Sequence, residues 1–172
     1  EHPQSIQEIA TGAGKTITAS RIVLDALSHC PHDAPTCLWL APQRELLFQA
    51  SNALQAAWWA GAGPASLDIR VLERSGDFEA SARPTSWLMT PMMAKTLSPD
   101  LTGHVNVAIF DEAHHGAAEM FGEVWKSIVC PKTTPPMLSL GLSATPTRET
   151  PQEAFVLQEA FASKLFIPNR DL

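Results

Sequence analysis

Ala10-Thr11-Gly12-Ala13-Gly14-Lys15-Thr16 and, far downstream, Asp111-Glu112-Ala113-His114 are the stretches of this sequence whose residue types and spacing could do chemistry. A triphosphate is densely charged, and backbone N–H groups can cradle it only where no side chain blocks their approach. Gly12 and Gly14 give that access and tolerate positive φ. Lys15 is placed to set its ammonium against the β- and γ-phosphates, and the Thr16 hydroxyl to ligate Mg²⁺. Residues 11–16 therefore read as a loop that binds ATP, with the positive end of the following helix dipole adding to the site. The full pattern begins with a glycine, and Ile9 stands in that place. In the acidic pair, Asp111 suits a Mg²⁺ ligand acting through water. Glu112 suits the group that orients or deprotonates the attacking water. Lys15, Asp111 and Glu112 are thus the candidate catalytic residues.

These groups must be held by strands that end where the chemistry begins. Residues 105–110 form an apolar run interrupted only by Asn106, and it stops abruptly at Asp111. Such a run predicts a buried parallel strand with Asp111 at its carboxyl end, where ligands bind in open α/β sheets. Further strands are predicted over residues 5–9, 36–41, 67–72, 86–90 and 137–142. Helices are predicted over 16–28, 44–59, 117–129 and 151–161. In the first helix, Ile17, Ile22, Val23, Leu24 and Leu27 form the predicted buried side. Strands alternating with helices imply βαβ units and a mostly parallel sheet covered on both faces. Right-handed crossovers would bring the glycine loop, the acidic pair and Ser143-Ala144-Thr145 to one edge.

With these motifs in place, the chain resembles the first RecA-like ATPase domain of a superfamily 2 helicase, of the DEAD/DEAH-box and type III restriction-subunit kind. Ala41-Pro42-Gln43-Arg44-Glu45-Leu46 with Gln49 is similar to that family's motif Ia. Thr90-Pro91 sits where its Thr-Pro motif belongs, and Ser143-Ala144-Thr145-Pro146-Thr147-Arg148 is similar to its motif III. The superfamily's loop often lacks the first glycine, which accommodates Ile9. The resemblance implies a RecA-like P-loop fold and hydrolysis of Mg·ATP coupled to DNA or RNA. It implies nucleic-acid contacts from Pro42, Gln43, Arg44 and Thr90, and coupling through His114, Ser143 and Thr145. It also implies a second RecA-like domain that supplies an arginine finger. Read from the residues alone, Arg44 and Thr90 equally suit a surface arginine and a helix cap. Ser143 and Thr145 equally suit hydroxyls satisfying a turn, and His114 an imidazole packed on a loop.

Length and composition bound these readings. The 172 residues make one domain, 1–172, large enough for its own core. Apolar residues at 45% and charged residues at 17% describe a globular chain, and no apolar run is long enough to span a bilayer. Three cysteines and no visible signal peptide fit a reducing, cytoplasmic setting. Glu1 in place of Met, and the few residues before the loop, suggest truncation at both ends. On that reading the fragment alone hydrolyses ATP weakly. A net charge of −6 is not the footprint of a strongly basic nucleic-acid binder. It keeps two alternatives open, an ATPase acting on another kind of partner and a catalytically weak scaffold domain. His29, Cys30, His32 and Cys37 match no usual paired zinc spacing, and Cys37 reads as pointing into the sheet. Of Trp58 and Trp59, which could stack on bases, one reads as core and the other as covering a helix end.

Overall fold

The computed structural model describes residues 4–8, 14–112, 118–129, 136–143 and 165–166. Seven strands form one sheet: β1 (Gln4–Glu8), β2 (Thr36–Leu40), β3 (Asp68–Val71), β4 (Thr85–Met89), β5 (Val107–Phe110), β6 (Leu138–Ser143) and β7 (Leu165–Phe166). Their order is β3-β4-β2-β5-β6-β1-β7, and every pairing is parallel. The expected parallel α/β architecture is therefore the observed one, with strand limits within about two residues of those the sequence suggests, the usual uncertainty at element ends.

A parallel sheet must be covered on both faces, and two apolar layers do so. Alternation along β2 sends Cys37, Trp39 and Ala41 to one face and Leu38 and Leu40 to the other. The Trp39 face is covered by α1 (Lys15–Ser28) and α2 (Arg44–Trp59). Helix α1 contributes Ala19, Val23, Leu24 and Leu27, and α2 contributes Leu47, Ala50, Leu54 and Ala57, a stripe at helical spacing. The opposite face is covered by α3 (Pro91–Thr96), α4 (Ser98–Leu101) and α5 (Ala118–Val124), with Ala94, Leu101 and Val124 buried against Leu38, Leu40 and Phe110. Each fully buried Leu or Ile in these layers contributes about 1.5–3 kcal/mol, so the two layers rather than helix propensity hold the elements in place. Gly63 fits only as glycine: φ is +94°, and an added Cβ would lie 2.9 Å from Leu24 Cδ2.

Several expectations are refined. Ile17 is 56% exposed, not buried. At about 100° per residue it falls at the margin of the stripe centred on Ser20, Val23, Leu24 and Leu27. The helix expected over 117–129 is α5 followed by a wider π-type turn at Trp125–Val129. Helices α3 and α4 and strand β7 were not anticipated. Trp58 packs on the core and donates its indole N–H to the Pro64 carbonyl (2.8 Å). Trp59 is 78% exposed and buries little of its ring at the end of α2. Cys37 is buried as expected, and burial pushes its thiol well above the usual range. The helix expected over 151–161 lies outside the described residues. Among the described residues, no helix is long and apolar enough to cross a membrane.

Candidate active site

Because every strand runs the same way, the residues that follow β2, β4 and β5 emerge along one edge. The ladder continues one step past the strand ends: Asp111 N–H donates to the Leu40 carbonyl (2.7 Å) and Ala41 N–H to that of Met89 (3.3 Å). Ala41, Thr90 and Asp111 thus stand in one row. Ser143, at the end of β6, lies beside Glu8 of β1 at the same edge.

The glycine loop enters this edge through α1. Gly14 caps the helix with φ 82° and ψ 22°, left-handed values that cost an L-residue roughly 1–2 kcal/mol. An added Cβ there would meet nothing within 4 Å, so the backbone conformation is what selects glycine. The Gly14 carbonyl accepts the Thr18 N–H (2.9 Å), the first intrahelical bond. Lys15 is therefore the first helical residue, and it is buried. Its ammonium donates to Glu112 Oε1 at 2.9 Å. Residues far apart in sequence thus meet as a largely desolvated ion pair, the two side chains 9% and 20% exposed.

Asp111 and Glu112 are adjacent but differently placed. Asp111 continues the sheet and is 4% exposed. Glu112 adopts φ 47°, and is the one non-glycine residue with positive φ among the described residues. That turn takes Glu112 off the strand to Lys15, while its N–H donates back to Asp111 Oδ1 (3.0 Å). Burial, reinforced by the Glu112 charge, pushes the Asp111 carboxyl up to about 6. The hydrogen bond from Glu112 N–H, the Lys15 charge and the Trp39 indole oppose that rise. A buried carboxylate with a raised affinity for a positive charge suits a divalent cation, and hard oxygen donors suit Mg²⁺. Asp111 has this chemistry, as has the half-buried Thr16 at the second position of α1.

Pro42, Gln43, Arg44 and Thr90 line the edge without being drawn into this cluster. Pro42 is half-buried and Gln43 is exposed at the N-cap of α2. Arg44 makes an ion pair with Glu73, from the segment between β3 and β4, and lies over the Phe48 ring, 5.5 Å from its centroid. Thr90 caps α3, its hydroxyl accepting the Met93 N–H (3.3 Å). Both side chains thus make the contacts that helix-capping and surface-arginine readings anticipate. Thr11, Gly12, Ala13, His114, Thr145 and the Ser143 side chain lie outside the described residues. Glu73 was missed by sequence reasoning, because nothing local marks an acid 29 positions from its partner.

Comparison with known proteins agrees with the parallel α/β fold. Similar solved structures include the helicase domain of Pyrococcus furiosus Hef (20% identity, TM-score 0.71) and yeast DEAD-box splicing factor Prp28 (19%, 0.72). S. cerevisiae Dbp5 is similar at 19% identity and TM-score 0.70. They cover 99%, 97% and 98% of this chain, whereas the chain spans only 36%, 41% and 42% of theirs. These likenesses establish a RecA-like helicase-domain fold. No curated protein matches the sequence significantly. The family model for DEAD/DEAH box helicases matches residues 3–154, and the chain belongs to that family.

Proposed function

We propose that this chain is the first RecA-like half of an ATP-driven helicase or translocase, binding Mg·ATP and coupling its hydrolysis to DNA or RNA. The observation that carries the reading is the 2.9 Å contact between Lys15 and Glu112 beside buried Asp111, at the edge where α1 begins. Arriving phosphates offer Lys15 a more highly charged partner than Glu112, so the lysine transfers to the β- and γ-phosphates. Glu112 is then released to orient the attacking water and take up its proton. Thr16 and Asp111 would hold Mg²⁺, which neutralises charge on the phosphates when bound. Thr11, Gly12, Ala13 and Gly14 would supply backbone N–H groups to the phosphates. His114, Ser143 and Thr145 would couple the site to nucleic acid, and Pro42, Gln43, Arg44 and Thr90 would contact its backbone.

A second RecA-like domain would complete the site with an arginine finger, consistent with a chain that spans well under half of its solved neighbours. The isolated chain is accordingly expected to bind nucleotide weakly and hydrolyse it slowly. In a protein that includes the second domain, Glu112→Gln should lower hydrolysis by about 10²–10⁴-fold and leave ATP binding in place. Unchanged turnover would refute the role of Glu112. The net charge of −6 and the engagement of Arg44 by Glu73 favour one alternative, an ATPase working on a partner other than nucleic acid. Salt-dependent binding of DNA or RNA that stimulates hydrolysis separates the two.

A further inference from the structure

Trp39 is the fourth of the five residues of β2 and is completely buried. Its indole N–H is also buried, and no acceptor among the described residues engages it in a hydrogen bond of ordinary geometry. A buried donor without a partner is costly and calls for a specific explanation. The strand register identifies that neighbour. Trp39 pairs with Ile109 of β5, and Asp111 lies two residues further along, so both side chains issue from the same face of the sheet. The two-residue offset amounts to about 7 Å along the strand. The Asp111 backbone is fastened to β2 by its bond to the Leu40 carbonyl, next to Trp39. Leu88, Ile109, Leu140 and Leu142 pack on this face with Trp39, and the buried Ser86 stands on it opposite Cys37, one step away from Leu88 on that face. Asp111 is the one buried carboxylate among the described residues.

We propose that Trp39 is a positioning residue for Asp111: its indole N–H is the donor that holds this carboxylate in the orientation in which it would bind a divalent cation. The indole acts through Asp111 and touches neither metal nor nucleotide. Hydrogen-bonded partners behind a metal-binding carboxylate restrict its rotation and tune its charge. Here that partner stands at the middle of the sheet rather than on a loop, so its position is set by the core. The proposal rests on the assignment of Asp111 to Mg²⁺, and the test separates the two.

Trp39→Phe keeps an aromatic ring in the core and deletes the donor. In the protein with its second domain, ATP binding is measured by calorimetry with Mg²⁺ and with EDTA. Trp39→Phe should weaken the Mg²⁺-dependent binding by about 10-fold, at the lower end for loss of a group behind a metal ligand. Binding in EDTA should be unchanged. An equal loss in both conditions, or no loss in Mg²⁺, overturns the proposal. Asp111→Asn serves as the reference. If it lowers Mg²⁺-dependent binding while Trp39→Phe does not, Trp39 has no positioning role and the metal assignment survives. If Asp111→Asn has no effect either, both fail. Tryptophan-labelled protein supplies an independent readout in NMR, with the Trp39 indole resonance identified by its loss in Trp39→Phe. That resonance should move in Asp111→Asn and stay in place in Glu112→Gln. The reverse pattern, or no movement in either, overturns the proposal without requiring the tryptophan variant to fold.

Discussion

The two stretches of the sheet's carboxyl edge are built on opposite terms. Around Lys15, Asp111 and Glu112 the charges are buried or half-buried, and Lys15 is paired with Glu112. Around Gln43, Arg44 and Thr90 they stand in water: Arg44 and Glu73 are 59% and 43% exposed, and Thr90 satisfies a helix end. Desolvated partners are expensive to separate, whereas an exposed ion pair contributes about 0–1 kcal/mol and yields readily. The first region is thus set for one chemistry before any ligand arrives. The second is occupied by exposed contacts that can be displaced at little cost.

Four experiments could break or sharpen that contrast. The largest effect is expected from Lys15→Ala, which should weaken Mg·ATP binding about 10–100-fold, the equivalent of a charged hydrogen bond worth about 1.5–3 kcal/mol. A change below twofold would mean that the buried pair is architectural and not a nucleotide site. Next comes Asp111→Asn without metal. The wild-type carboxyl titrates near 6 when folded and near 3.8 when not, so the charge destabilises the fold above pH 6. That penalty is relieved as pH falls through 6 towards 4. The variant should therefore be more stable than wild type by about 1–3 kcal/mol at pH 7–8, with the gap closing by pH 4. Denaturant titrations at several pH values check this, and a pH-independent gap would refute it.

A smaller effect isolates the backbone at residue 112. Glu112→Gly and Glu112→Ala both delete the carboxylate, but only glycine is at ease with φ 47°. The glycine variant should be more stable by about 1 kcal/mol, the reverse of the order in a helix. Alanine equal or superior in thermal melts would show that the left-handed turn relaxes. The smallest effect belongs to Glu73→Gln. It should raise affinity for single-stranded nucleic acid no more than about 5-fold and leave ATP binding unchanged, as befits an exposed pair. Weaker nucleic-acid binding would mean that Glu73 presents Arg44 instead of occupying it.

The sequence made the architecture legible where long apolar runs end abruptly, as at Phe110-Asp111 and Leu40-Ala41-Pro42. Each such run needs both faces covered, which leaves few architectures. Helices α3 and α4 escaped because six and four residues are too few to show a period. Ile17 misled because apolar type alone does not locate the edge of a stripe. Within the site, Lys15 and Glu112 were named for separate tasks, and only the fold joined them. The role argued for Trp39 was equally invisible, since a tryptophan inside a strand reads as packing until its indole N–H is found without a partner. The pairing of Arg44 with Glu73 shows the same limit, because ion pairs between distant segments leave no local pattern.

Strand β1 lies between β6 and β7, at the far side of the sheet from β2, to which α1 connects it. Its partners Ser139 to Ser143 and Leu165–Phe166 are made long after it. As the chain leaves the ribosome, the strand that feeds the glycine loop waits unpaired while β2, β3, β4 and β5 can already associate. Such distant pairing closes late. The segment that leads from β1 into α1 is consequently anchored only when β6 arrives, and a stalled nascent chain ending before residue 138 would hold a partly built sheet.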